Sequence, residues 1–264
     1  MSKKGILVVS FGTSYPDALT KNIRAIETAV GDAFPRLPVR RAFTSGMIIK
    51  KLKDRDGVHI CTVREALESF LAEGFTDLIV QPTHIINGTE NDRMLADLAA
   101  FEDRFHSIRV GNPLLTDQSD YRALIDAVVK EFSGLGTDEF LVFMGHGTEH
   151  HANAVYPALD YMLKAAGFEN IYIGTVEGYP DLSLVKDLVR KKAPKKILLA
   201  PLMIVAGDHA RNDMAGDGED SWKNEFLREG YEVSCLLKGL GEYEEVQKLF
   251  AEHAKTAAEN VYSH

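Results

Sequence analysis

The chain has 264 residues, 45% of them hydrophobic and 26% charged, which is the balance of a globular protein with enough apolar material for a sizeable core. That length fits two modest domains or one large one and excludes a minimal scaffold, a disordered chain or a collagen-like one. Thirty Lys and Arg against 39 Asp and Glu leave a formal net charge of -9, which opposes non-specific attraction to nucleic acid or an anionic membrane surface.

From the N-terminus, short apolar runs alternate with longer amphipathic segments. The run Gly5 to Val9 predicts a strand, too short for a signal sequence or a membrane span, so the protein is expected to be cytoplasmic with no membrane partner. Helical periodicity follows over 16–33, then a strand over 39–43, helices over 46–54 and 62–73, and a strand over 78–81. A helix near 91–104, a strand over 108–111 and a helix over 119–132 complete the first half. Ser133-Gly-Leu-Gly-Thr137 breaks the periodicity and predicts a linker. Beyond it, strands are expected over 139–144, 171–175, 196–202 and 231–236, with a last helix over 242–259. This alternation predicts an α/β fold of two similar Rossmann-like domains, residues 1–132 and 138–264, each a parallel sheet flanked by helices. Cys61 and Cys235 lie far apart and outside any CxxC, so no disulfide or thiolate zinc site is expected, and each reads as a small buried hydrophobe.

The halves also resemble each other in sequence, which predicts an internal duplication enclosing a cleft. Leu7 to Ser14 aligns with Val142 to Glu149 at an offset of 135, setting Phe11 opposite His146. Phe43-Thr-Ser-Gly46 aligns with Thr175-Val-Glu-Gly178 at 132, and Gln81 to Glu90 aligns with Ala200 to His209 at 119, setting Glu90 opposite His209. The shrinking offset places about sixteen extra residues in the first half, naturally within 47–76.

In open α/β sheets, ligands collect beyond the carboxyl ends of the strands. The second-half strands deliver His146, Glu177 and His209 to that rim. Two imidazoles and a carboxylate suit a borderline divalent ion, and three protein ligands leave coordination positions open, unlike a closed structural site. The plain alternative is that each is a hydrogen-bonding loop residue. His146 and His150 have helical spacing, but His146 lies between Gly145 and Gly147 in a loop, and there is no His-Glu-x-x-His order. His150 and His151 are expected to open the next helix or line the cleft. Glu90 fits either a general base aimed into the cleft or an acid at a helix N-terminus, and the two roles are compatible. His84 reads as a buried, hydrogen-bonded residue.

Residues 36–55 carry Arg36, Arg40, Arg41, Lys50, Lys51, Lys53 and Arg55 against Asp54 alone, which would attract a polycarboxylate or form a solvated helix face. The acidic loop 216–220 lacks EF-hand order. No GxGxxG, Walker A or GxSxG occurs, so no nucleotide is expected.

Val-Val-Ser-Phe-Gly-Thr-Ser at 8–14, Ala-Phe-Thr-Ser-Gly-Met-Ile at 42–48, His-Ile-Ile-Asn-Gly at 84–88, Phe-Met-Gly-His-Gly at 143–147 and Val-Ala-Gly-Asp-His at 205–209 together resemble the anaerobic sirohydrochlorin cobaltochelatases, almost end to end. The resemblance implies a class II chelatase fold and ATP-independent insertion of Co(II) into sirohydrochlorin or precorrin-2 during cobalamin synthesis. By motif, it makes His146 and His209 the metal-handling histidines, Glu177 a further ligand and Glu90 the acid assisting proton removal. Ser10, Phe11, Gly12 and Thr13, with Asn87 and Gly88, become candidates for holding the tetrapyrrole, and Phe11, Met47 and Met203 for its apolar walls. The metal is a substrate, Co(II) foremost, with Fe(II) and Ni(II) as possibilities. Alternatives are a siroheme-forming ferrochelatase on the same fold or a non-catalytic metal or tetrapyrrole carrier, and a homo-oligomer is possible.

Overall fold

The computed structural model describes residues 2–259. Two compact units emerge, one running up to Asp120 and resuming at Gly241, the other spanning Tyr121–Leu240. In the first, β1 (Lys4–Ser10) lies between β2 (Val39–Phe43) and β3 (Asp77–Pro82), with β4 (Ser107–Val110) beyond β3, all parallel. Between β1 and β2 run α1 (Pro16–Ala18), a π-helical stretch Leu19–Ile23 and α2 (Arg24–Ala33), one nearly continuous helical passage. Then come α3 (Gly46–Asp56) and α4 (Val63–Ala72) before β3, and α5 (Thr89–Ala99) after it.

Beyond α6 (Gln118–Glu131), the second unit repeats the plan with β5 (Glu139–Gly145), α7 (Val155–Ala165), β6 (Ile171–Thr175), α8 (Leu182–Lys192), β7 (Lys196–Leu202), α9 (Trp222–Arg228) and β8 (Glu232–Cys235). Its strand order, β6-β5-β7-β8, is the first sheet's order β2-β1-β3-β4 again. The pairing register repeats as well. Ile6 faces Val39 and Lys4 faces Asp77, while Leu141 faces Ile171 and Glu139 faces Lys196, at the offsets that align the sequence motifs. Because a slip of one residue would turn every side chain to the wrong face, this agreement carries the duplication from sequence into structure. Helix α4 corresponds to α8, and α3 has no counterpart between β6 and α8, so α3 accounts for most of the extra length of the first half.

The central strands are buried on both faces, as parallel sheets require. Leu7 and Val9 join Leu67 and Phe70 of α4 and Met94 of α5 in one apolar cluster, and Ile6 and Val8 are wholly buried as well.

The terminal helices depart from the sequence expectation. The predicted division at 133–137 would leave α6 with the first domain and the last helix, α10 (Glu244–Glu259), with the second. Instead α6 belongs to the second unit, where Leu124, Ile125 and Val128 face Phe143 and Ile173 of the sheet. In the first unit, α10 packs on α2, β3 and β4. Its apolar stripe of Val246, Phe250, Ala254 and Ala257 is buried, and His253 Nε2 lies 2.8 Å from the carboxylate of Asp120. The chain therefore passes between units twice, near Asp120 and near Leu240. Among the described residues no helix is long and apolar enough to cross a membrane.

Candidate metal centre

The three residues delivered by the second-unit strand ends come together. One ligand atom from each of His146, Glu177 and His209 lies within 4.8 Å of the others, and the two imidazole rings meet edge to face with centroids 4.8 Å apart. All three stand at the carboxyl ends of adjacent strands, His146 after β5, Glu177 after β6 and His209 after β7.

Backbone packing holds this rim. The amides of Val176 and Glu177 donate to the carbonyls of Gly145 and His146, stitching the β6 loop onto the β5 loop. Gly147 makes the approach possible. It has φ +78, and a Cβ there would lie 2.6 Å from the Gly178 amide nitrogen and 2.8 Å from the Thr175 Cβ. Asn153 ties the two loops from the side, its amide donating 2.6 Å to the Tyr179 carbonyl and its oxygen accepting 3.1 Å from the Thr148 amide. The buried hydroxyl of Tyr156 accepts from the backbone of Gly147 and His146 beneath them, while burial raises its pKa above the ordinary value.

Each histidine has a partner for one ring nitrogen. His146 Nδ1 lies 2.9 Å from the Gly147 carbonyl, which can only accept, so Nδ1 carries the proton and Nε2 keeps its lone pair. The same Nδ1 is 3.7 Å from Glu177 Oε2. His209 is hydrogen-bonded through Nδ1 to the carboxylate of Asp213, which again leaves Nε2 available. Partners of this kind orient imidazoles that bind metal. Asp213 was not identified from sequence. Its signal was the four-residue spacing from His209, one turn along the π-helical stretch Ala210–Met214.

His150 and His151 lie outside this set. His150 caps the short 3-10 turn His151–Ala154, its Nδ1 accepting 3.1 Å from the Ala152 amide, and its ring packs against His151 with centroids 4.0 Å apart.

In the first unit, Glu90 occupies the first turn of α5, where Oε1 pairs with Arg93 at 2.6 Å while Oε2 is buried without a hydrogen-bond partner. His84 is buried, and burial lowers its pKa below the ordinary value; Nδ1 lies 3.5 Å from Asn91 Oδ1. Asn87 donates 3.0 Å to Thr116 Oγ1, and Gly88 is the N-cap of α5. At the end of β1, Ser10 and Thr13 are buried. Ser10 accepts 2.8 Å from Thr83, and Thr13 accepts 3.2 Å from the Tyr15 amide. Gly12 has φ +107, where a Cβ would meet the Phe43 ring at 2.5 Å. Phe11 and Met47 are exposed, whereas Met203 packs against the second-unit core.

The basic segment 36–55 is less available than its composition suggested. Arg40 pairs with Glu73 at 2.6 Å, Arg41 binds Glu27 through two hydrogen bonds, Lys50 pairs with Asp54 and Arg55 with Asp56. Glu27, Asp56 and Glu73 lie outside the counted window, which is why the local excess looked uncompensated.

The sequence profile of the family "Cobalt chelatase (CbiK)" matches residues 4–259. The chain belongs to this family. It is 43% identical over 255 residues to the sirohydrochlorin cobaltochelatase of Salmonella typhimurium, covering 97% of this chain and 96% of that one. It is 34% identical over 264 residues to the sirohydrochlorin cobaltochelatase CbiKC of Nitratidesulfovibrio vulgaris, covering 97% and 91%. Among solved structures, SirB from Bacillus subtilis with Fe3+ superposes with a TM-score of 0.65 at 16% identity, covering 98% of this chain and 96% of that one. CbiX, described as the terminal enzyme for siroheme biosynthesis in denitrifying bacteria, superposes with a TM-score of 0.54 at 19% identity, covering 96% and 99%. These two likenesses place the cobalt chelatase chain in the two-domain chelatase fold.

Proposed function

We propose that this member of the cobalt chelatase family inserts Co(II) into sirohydrochlorin, or its reduced precursor precorrin-2, without ATP. The observation that carries the reading is the convergence of His146, Glu177 and His209 within 4.8 Å in a chain that matches the family from residue 4 to 259.

Metallation replaces two pyrrole N–H protons with one divalent ion, so the enzyme must hold a metal it can release and must accept protons. Two neutral imidazoles and one carboxylate leave coordination positions for incoming pyrrole nitrogens, and they neutralise only one of the ion's two charges, which favours transfer over retention. Proton acceptance falls to Glu90, which takes the two protons one at a time and passes each to water. It holds the first-unit position that repeats His209, and its Oε2 has no hydrogen bond to give up. The loops at Ser10 to Thr13 and at Asn87 and Gly88 hold the macrocycle through backbone and glycine surface, since the Ser10 and Thr13 hydroxyls are engaged internally. Phe11, whose ring is exposed, offers an apolar contact.

The test is an anaerobic absorbance assay of sirohydrochlorin with Co(II), Fe(II) and Ni(II) in turn, with no nucleotide added. Multiple turnovers, fastest with Co(II), are expected. Fastest turnover with Fe(II) would make the protein a siroheme-forming ferrochelatase, and stoichiometric binding without turnover would make it a carrier.

A further inference from the structure

The stretch between α3 and α4, together with the first turn of α4, carries its own group of metal-ligating side chains. One ligand atom from each of His59, Cys61 and Glu65 lies within 4.8 Å of the others. All three fall within seven residues of one unit.

Local geometry explains the convergence. Gly57, with φ +66, ends α3, and the chain then runs without regular structure to Thr62, the N-cap of α4. The Phe43 amide donates 3.0 Å to the Cys61 carbonyl, anchoring this run to the end of β2. His59 and Cys61, two residues apart in this run, bring their ligand atoms together. The first turn of α4 returns Glu65 to them. Its Oε2 accepts from the Thr62 amide at 2.8 Å and from Thr62 Oγ1 at 3.1 Å, so the capping box fixes the carboxylate and leaves Oε1 uncommitted by those bonds.

The geometry points to a second metal site on this chain, His59-Cys61-Glu65, which takes a borderline divalent ion such as Co(II), Zn(II) or Ni(II) through thiolate, imidazole and carboxylate. Ligand atoms around a four-coordinate ion of this kind stand roughly 3.5 Å apart, so closure needs about 1 Å of movement, and the exposed His59 side chain can supply it by rotation. Thiolate and carboxylate together balance the ion's charge. The thiolate also discriminates against the oxygen-seeking ions Mg(II) and Ca(II). Three ligands leave the site open, so it exchanges its metal rather than locking it into the fold. Cys61 is half-buried rather than buried as expected: it packs against the first-unit core, yet its sulfur lies beside ligand atoms of His59 and Glu65. This site stands independently of the chelatase reading.

The thiolate makes the test specific, because the His146 centre contains no sulfur. Purified full-length protein is titrated anaerobically with cobalt chloride while near-ultraviolet thiolate-to-Co(II) charge transfer is followed. The band is expected to saturate at one equivalent in His146→Ala/His209→Ala, where this site has no competitor, and by two equivalents in the wild type, to persist in Cys235→Ser, and to vanish in Cys61→Ser. His59→Ala, a change at an exposed side chain, is expected to weaken the affinity read from this band by about tenfold or more. No thiolate band in folded wild-type protein, or a band that survives Cys61→Ser or is lost in Cys235→Ser, would overturn the proposal.

Discussion

Asp213 holds the Nδ1 of His209 from one helical turn away, turning the opposite ring nitrogen of that histidine into a free ligand. A carboxylate in this position fixes the tautomer and strengthens the imidazole as a donor. Its removal should therefore act on metal affinity rather than on the fold, because the Asp213 side chain is 47% exposed. Asp213→Ala is expected to weaken Co(II) binding by about 10- to 100-fold, measured by competition with a chromophoric chelator, with the unfolding midpoint little changed.

Gly147→Ala attacks the same centre through the backbone. The new Cβ would enter a space bounded by backbone and a Thr175 carbon, neither of which can swing away, at a φ of +78. A loss of about 2 kcal/mol or more is expected in denaturant unfolding. Loop separation should also lower Co(II) insertion. A variant as stable as the wild type would show that the β5 and β6 loops are not held as described.

Arg41 and Glu27 form a two-bond pair with side chains only 18% and 15% exposed. If that pair is structural, Arg41→Ala leaves Glu27 half-buried and uncompensated, at a cost of about 1–2 kcal/mol, between exposed and fully buried cases. The KM for sirohydrochlorin should stay near its wild-type value. A KM increase without loss of stability would instead make Arg41 a contact for the substrate carboxylates.

Acid should expose the contribution of Asp77. Burial raises its pKa, but hydrogen bonds from Ser2, Thr76, His106 and Ser107 outweigh that effect and hold it far below the usual carboxylate range. A depressed folded-state pKa stabilises the protein above the unfolded value of about 3.9, and that stability is lost as pH falls through the acid range. Asp77→Asn should lower stability at pH 7 and flatten its decline between about pH 5 and 2, as followed by urea midpoints. An unchanged pH profile would remove Asp77 from this role.

The sheets and the convergence of His146, Glu177 and His209 were legible in sequence because both depend on local repetition. Strand ends recur at fixed offsets, and the loop that follows each strand must start on the carboxyl rim. His146, Glu177 and His209 could thus be brought together without knowing any side-chain contact. What escaped was long-range exchange. Helices α6 and α10 each pack on the sheet of the other half, and amphipathic periodicity states that a helix has an apolar face without saying which sheet receives it. The basic segment misled for a related reason, since its counter-charges Glu27 and Glu73 come from helices outside the counted stretch. Asp213 was missed although its spacing was visible, because an acidic residue four positions along a polar stretch carries no signal until His209 is placed beside it.

Whether His146 and His209 act together as the metal-delivering pair is tested most directly by anaerobic Co(II) insertion into sirohydrochlorin by His146→Ala, His209→Ala and the double variant, each checked for native circular dichroism. Each single change is expected to abolish turnover above the uncatalysed rate, with the double variant no worse than either, because the two residues serve one ion. Near-normal insertion by folded single variants would contradict joint delivery by this pair.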